Sequence, residues 1–157
     1  MSRPRCALRD ESGEELQIRA LAECAELLHG HRGPYLILGL RAGLAAVKVL
    51  GRDPFKMRAL VWTGGSPPSS CFIDGVQLAT GCTLGKGNIE RQVAENVSAL
   101  FTKDSKTISV RVRSEVLEGI SRGLSSRGLE ELASEIAESR TEELFEICEE
   151  TSSSTTG

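Results

Sequence analysis

The chain has 157 residues, a formal net charge of −3, 26% charged and 39% hydrophobic residues, which suits one soluble domain with its own core. No apolar run reaches the roughly 18 residues of a membrane span, and Met1-Ser-Arg-Pro-Arg-Cys6 is not followed by the apolar segment of a secretory signal, so a cytoplasmic protein is expected. Five cysteines without repeated spacing and without any Cys-x-x-Cys exclude a disulfide framework, a zinc ribbon and a thioredoxin-like motif.

Residues 14–28 read as an amphipathic helix whose stripe is Leu16, Ala20, Leu21, Cys24, Leu27 and Leu28, which predicts that Cys24 packs in the core. Gly30 can end it in the left-handed conformation. His29 and His31, the only histidines, flank that glycine. In an extended linker both imidazoles can aim to one side.

Gly33-Pro34 opens a second helix over 34–50, since proline suits a first helical turn. Gly39, Ala42, Gly43, Ala45 and Ala46 along it imply close approach of another backbone. Packing of this helix on a sheet is the expected cause, and a subunit or ligand contact is the alternative. Gly51-Arg-Asp-Pro54 is a turn, residues 57–63 a strand, and 64–70 a Gly/Ser/Pro loop. Ser69 or Ser70 is expected to cap a short helix over 71–79. Strands follow at 88–93, 96–102 and 106–113. Residues 114–150 read as helical, broken near Gly123 and Gly128, with Leu129, Leu132, Ala133, Ile136 and Ala137 on the apolar face of the last helix. Residues 151–157 read as a disordered tail. The order α-α-β-α-β-β-β-α makes residues 1–150 a single α+β domain. Residues 130–150 hold nine Glu against one Arg, so that block carries −8 and the remainder of the chain +5. A solvated helix face explains the block; a cover for a basic partner surface is the alternative.

The densest chemistry lies between Cys71 and Asn88. Cys71 in a first helical turn gains from the helix dipole, which favours thiolate. Asp74 and Gln77 follow on the same helical face, an arrangement that presents sulfur and carboxylate to one pocket. A buried cysteine beside a solvated aspartate explains the residues equally well. Cys82 follows in Thr80-Gly-Cys-Thr-Leu-Gly-Lys-Gly-Asn88. That loop lacks the Walker spacing, so it reads as structural, with an anion contact by Lys86 as the alternative. Thiols and imidazoles in one small domain suit zinc or another transition metal. A Cys–His nucleophile would need an orienting residue, for which Asp74 is the candidate. No basic run with interleaved aromatics supports nucleic-acid binding.

The segments His29-Gly-His-Arg-Gly-Pro-Tyr-Leu-Ile-Leu-Gly-Leu-Arg-Ala-Gly43 and Cys71-Phe-Ile-Asp-Gly-Val-Gln-Leu-Ala-Thr-Gly-Cys-Thr-Leu-Gly-Lys-Gly-Asn88 resemble the E-subunit family of formylmethanofuran dehydrogenase, over roughly residues 14–113. The resemblance implies an α+β domain with a mixed sheet, here of about four strands, commonly paired as a homodimer, with one divalent metal, zinc first, near these motifs. Carried onto this chain it implies His31, Cys71, Cys82 and His29 as metal ligands, with Asp74, Gln77 and Thr83 behind them. Two departures stand out. Members usually carry Cys two residues after the second His, where this chain has Gly33. The C-terminal zinc finger of many members is absent, replaced by the helical extension 114–150 with Cys148 alone.

Three functions follow as expectations. The first is a metal-binding accessory or small-ligand-binding protein linked to one-carbon or molybdopterin redox metabolism, alone or within a larger oxidoreductase complex. The second is a free-standing metal-dependent enzyme with an open coordination position. The third is a metal-free structural interaction subunit.

Overall fold

The structure, a computed structural model, describes residues 11–151, with side chains from 17 to 150. Cys6 and residues 152–157 of the expected tail lie outside the described residues. Helices α1 (Glu11–His29) and α2 (Pro34–Leu50) lead into strand β1 (Arg58–Thr63). A 3-10 turn over Ser69–Cys71 and helix α3 (Phe72–Thr80) follow. Strands β2 (Ile89–Val93), β3 (Ser98–Lys103) and β4 (Lys106–Val112) precede helices α4 (Ser114–Gly123), α5 (Leu129–Glu138) and α6 (Thr141–Leu144), and the described chain ends in β5 (Phe145–Thr151). No helix among the described residues is long and apolar enough to cross a membrane.

The five strands form one mixed sheet in the order β2-β1-β3-β4-β5. Only β1 and β2 run parallel; the other pairs are antiparallel. A parallel neighbour requires a crossover, and α3 lies in it, so the β1–β2 connection carries most of the Cys71–Asn88 chemistry. Ala59 and Val61 of β1, Phe101 of β3, and Ile108 and Val110 of β4 alternate into the core.

Helix α2 is the hub. Pro34 sits at its start, Gly51 ends it at φ 77°, and residues from Pro34 to Val47 are buried almost all round. A helix apolar on every side belongs inside. Its small residues serve a helix rather than the sheet: a Cβ on Gly39 would stand 1.9 Å from the Phe72 carbonyl oxygen, and one on Gly75 of α3 would stand 2.1 Å from the Leu36 oxygen. The expected close approach is therefore present, but its partner is α3, within the same chain.

Three other expectations are corrected. Residues 145–151 are a strand, not the end of a helix, so the sheet has five strands rather than about four. Phe145 is buried, and the segment pairs along its length with β4, from Val112↔Phe145 to Lys106↔Thr151. The glutamates of this segment favour helix locally, and tertiary pairing overrides that weak preference. In α1 the buried face is Ile18, Ala22 and Ala25, with Leu21 half-buried; Cys24 is exposed and Leu27 is 90% exposed. Neither Ser69 nor Ser70 caps α3: the Ser69 hydroxyl accepts from the Gly64 amide instead.

Candidate functional site

The two histidines meet the start of α3. Gly30, at φ 101°, turns the chain out of α1, and Arg32 pairs back to Glu26 at 2.8 Å. That turn stacks the His29 and His31 rings, centroids 5.1 Å apart and 15° from parallel. His29 Nδ1 donates to Asp74 Oδ2 at 2.6 Å. The His29 side chain is 13% exposed and that of Asp74 37%, so the pair closes the bottom of an open surface site on which His31 is exposed. A carboxylate that holds Nδ1–H leaves the Nε2 lone pair of neutral His29 available, the arrangement found behind metal-bound imidazoles.

Cys71 sits just before α3, half-buried and within electrostatic reach of Asp74. Burial first, and the Asp74 charge second, push its thiol above the ordinary range. The expected helix-dipole activation is thus outweighed, because desolvation and a neighbouring carboxylate both penalise the thiolate.

Cys82 lies at the other end of α3. The nine helical residues between them span about 13 Å, several times a zinc–sulfur bond. Cys82 is fully buried, its thiol donates to the Met57 carbonyl at 3.3 Å, and its backbone amide donates to Thr80 Oγ1 at 3.1 Å. Burial pushes this thiol up as well.

The residues expected behind the ligands also divide. Asp74 touches His29, whereas Gln77 and Thr83 shape the loop after α3. Gln77 Oε1 accepts from the Leu84 amide at 3.1 Å, and Thr83 Oγ1 accepts from Lys86 Nζ at 3.0 Å. The Lys86 ammonium also lies 5.6 Å from the Phe55 ring centre. Buried Asn88 ties the loop down by donating to the Pro54 and Met57 carbonyls and accepting from the Thr83 amide. The conspicuous Thr-Gly-Cys-Thr run is thus bound largely to itself and to the β1 approach.

Donor chemistry at the histidine end suits zinc: two imidazoles, a supporting carboxylate and a nearby thiol. Their convergence is incomplete. Among the described residues, no three His, Cys, Asp or Glu side chains gather closely enough to hold a metal ion. Gly33 stands beside this gap, since the nearest atom to a Cβ there would be His31 Nε2 at 3.7 Å.

A second concavity, which the sequence reading missed, lies across α2 from α3. It is a cleft of about 780 Å³ between α2, the α5–α6 turn and β5. Arg41, 6% exposed, braces it by donating from Nη1 to the Ile136 and Ala137 carbonyls, both at 2.9 Å, and from Nη2 to Thr141 Oγ1 at 3.3 Å. An arginine inside an otherwise apolar helix was the available signal.

The described domain is thus an α+β unit whose central helix is gripped by a mixed five-stranded sheet on one side and a glycine-matched helix on the other. Residues 28–155 match the family model described as FmdE, Molybdenum formylmethanofuran dehydrogenase operon, and the chain belongs to that family. The crystal structure of an FmdE-like protein of tungsten formylmethanofuran dehydrogenase from Syntrophus aciditrophicus shares the fold, with a TM-score of 0.65 and 22% identity over 85% of this chain and 72% of that one. A probable S-adenosyl-L-methionine-binding protein of Archaeoglobus fulgidus is 31% identical over 115 residues. That match takes in 68% of this chain but 30% of the relative's length.

Proposed function

We propose that this chain is a metal-binding accessory protein of the FmdE family, serving one-carbon or molybdopterin redox metabolism. The observation that carries the reading is the His29–Asp74 hydrogen bond beneath the stacked His31 ring. His29, His31 and Cys71 would hold a zinc-like ion, with Asp74 fixing the His29 tautomer. The ion would act there as a Lewis acid towards a bound ligand. Cys82 stays outside this set because its thiol is committed to Met57 at the far end of α3. Metal analysis of purified protein tests the reading. About one zinc or other transition metal per chain is expected, lost in His31→Ala and Cys71→Ser and retained in Cys82→Ala. A metal-free wild type after reconstitution overturns it.

The same reading includes a homodimer, with the contact moved from α2, whose small residues are used within the chain, to the end of α1. Cys24, Leu27 and Leu28 lie exposed there beside His31, and a second copy covering them would enclose the open site. Light scattering is expected to give a dimer for the wild type and a monomer for Leu27→Glu. A monomeric wild type removes the dimer.

A second reading concerns the small ligand. The name of the Archaeoglobus fulgidus relative makes S-adenosyl-L-methionine the candidate, and the unexplained 780 Å³ cleft favours it because ligand sites run to about 300–1,000 Å³. Calorimetric titration with S-adenosyl-L-methionine checks it directly.

A further inference from the structure

We infer that the cleft between α2, the α5–α6 turn and β5 is a binding site for a small molecule that carries two positive groups and one negative group on an apolar body. The inference rests on the S-adenosyl-L-methionine reading and assigns it a site on the opposite side of α2 from the His29–Asp74 pair.

The charges lining the cleft decide the ligand class. Three are cations, Arg41, Lys48 and Arg140, and three are carboxylates, Glu138, Glu142 and Glu149. A site for a polyanion or a polycation would be weighted to one sign. Several of these groups are already engaged. Arg41 braces the end of α5, and Arg140 reaches Glu143 at 3.1 Å and Glu142 at 4.0 Å. Lys48, Glu138 and Glu149 have no side-chain partner among the described residues. What is left uncommitted is one ammonium and two carboxylates. Their complement is a ligand with one carboxylate and two cationic centres.

The apolar lining supplies the rest. Leu44 and Ile108 are buried beneath the cleft, while Val49 and Ile147 are each 37% exposed at its rim. They offer a strip for a flat or aliphatic body, and burial of such a body provides affinity that the exposed charges alone would not. S-adenosyl-L-methionine, with a carboxylate, an ammonium, a sulfonium and an adenosine body, has this combination. Lys48 would face the carboxylate, and Glu138 and Glu149 the two cationic centres.

Isothermal titration of the full chain tests the assignment with two probes: S-adenosyl-L-methionine, and S-adenosyl-L-homocysteine, which lacks the sulfonium charge. The wild type is expected to bind the sulfonium compound more tightly by about fivefold. Lys48→Gln and the double variant Glu138→Gln/Glu149→Gln are each expected to weaken its binding by about fivefold or more. All three positions are exposed, so melting temperatures of the variants serve as a check that folding is intact. Binding that these variants leave unchanged overturns the cleft while the ligand reading stands. A wild type that binds neither compound overturns the ligand reading, and the assignment falls with it.

Discussion

Gly75→Ala is expected to unfold the protein. A Cβ at residue 75 would stand 2.1 Å from the Leu36 carbonyl oxygen, 2.4 Å from the Leu40 amide nitrogen and 2.8 Å from the Gly39 carbonyl carbon. All three are backbone atoms of α2, so no rotamer change can relieve the overlap. Relief requires α3 to move away from the helix around which the whole core is arranged. Overpacking of this kind costs about 3 kcal/mol or more, which outweighs the gain of about 1 kcal/mol that alanine brings over glycine in a helix. Against a typical stability of about 5–15 kcal/mol, that loss removes much of the folded population. Urea or thermal unfolding reads the effect. Gly119→Ala is the matched control: Gly119 lies inside α4 with nothing within 4 Å of a Cβ, so it is expected to be neutral or stabilising by up to about 1 kcal/mol. Equal melting of the two variants would refute the interlock.

This interlock also explains why the histidine cluster exists. Asp74 is the residue before Gly75, and α3 lies close enough to α2 for Asp74 to reach His29 only because Gly39 and Gly75 permit it. Fold and site therefore rest on the same helix contact.

Much of this is legible in the sequence for local reasons. Gly33-Pro34 and Gly51 bracket α2 because proline fixes φ at a helix start and glycine alone tolerates the positive φ at its end. β1 to β4 carry alternating apolar residues, and spacing alone puts Asp74 on one helical face with Cys71. The errors arise where tertiary context decides. The α1 sequence has two apolar faces. Periodicity favours the one with Leu27, and packing buries the one with Ile18, Ala22 and Ala25. Glu146, Glu149 and Glu150 read as helix, yet β4 offers an edge on which Phe145 can be buried. Cys82 reads as a neighbour of Cys71 because the two stand eleven residues apart in one motif, and an intervening helix converts that separation into length. The cleft is illegible because Lys48, Glu138 and Glu149 meet only through the fold.

Gly33→Cys is expected to raise the affinity for zinc by at least about tenfold, roughly 1.4 kcal/mol. Gly33 precedes α2 at φ −116° and ψ 163°, extended backbone that any residue adopts without strain. The space beside it is open apart from His31 Nε2, 3.7 Å from where the Cβ would stand. A thiol added there joins the imidazole that the site already exposes. The family resemblance places a cysteine at this position, so the substitution restores a donor to a cluster that gathers fewer than three within one copy. Gly33→Ala supplies the Cβ without the sulfur and separates coordination from a change in the backbone. Competition titration against a chromophoric zinc chelator measures all three proteins. A cysteine variant that binds no better than the alanine variant would mean that the histidine cluster is not a metal site, and the His29–Asp74 pair would then serve only to fasten the end of α1 to α3. A gain confined to the cysteine variant, abolished by adding His31→Ala, would place the ion between residues 31 and 33.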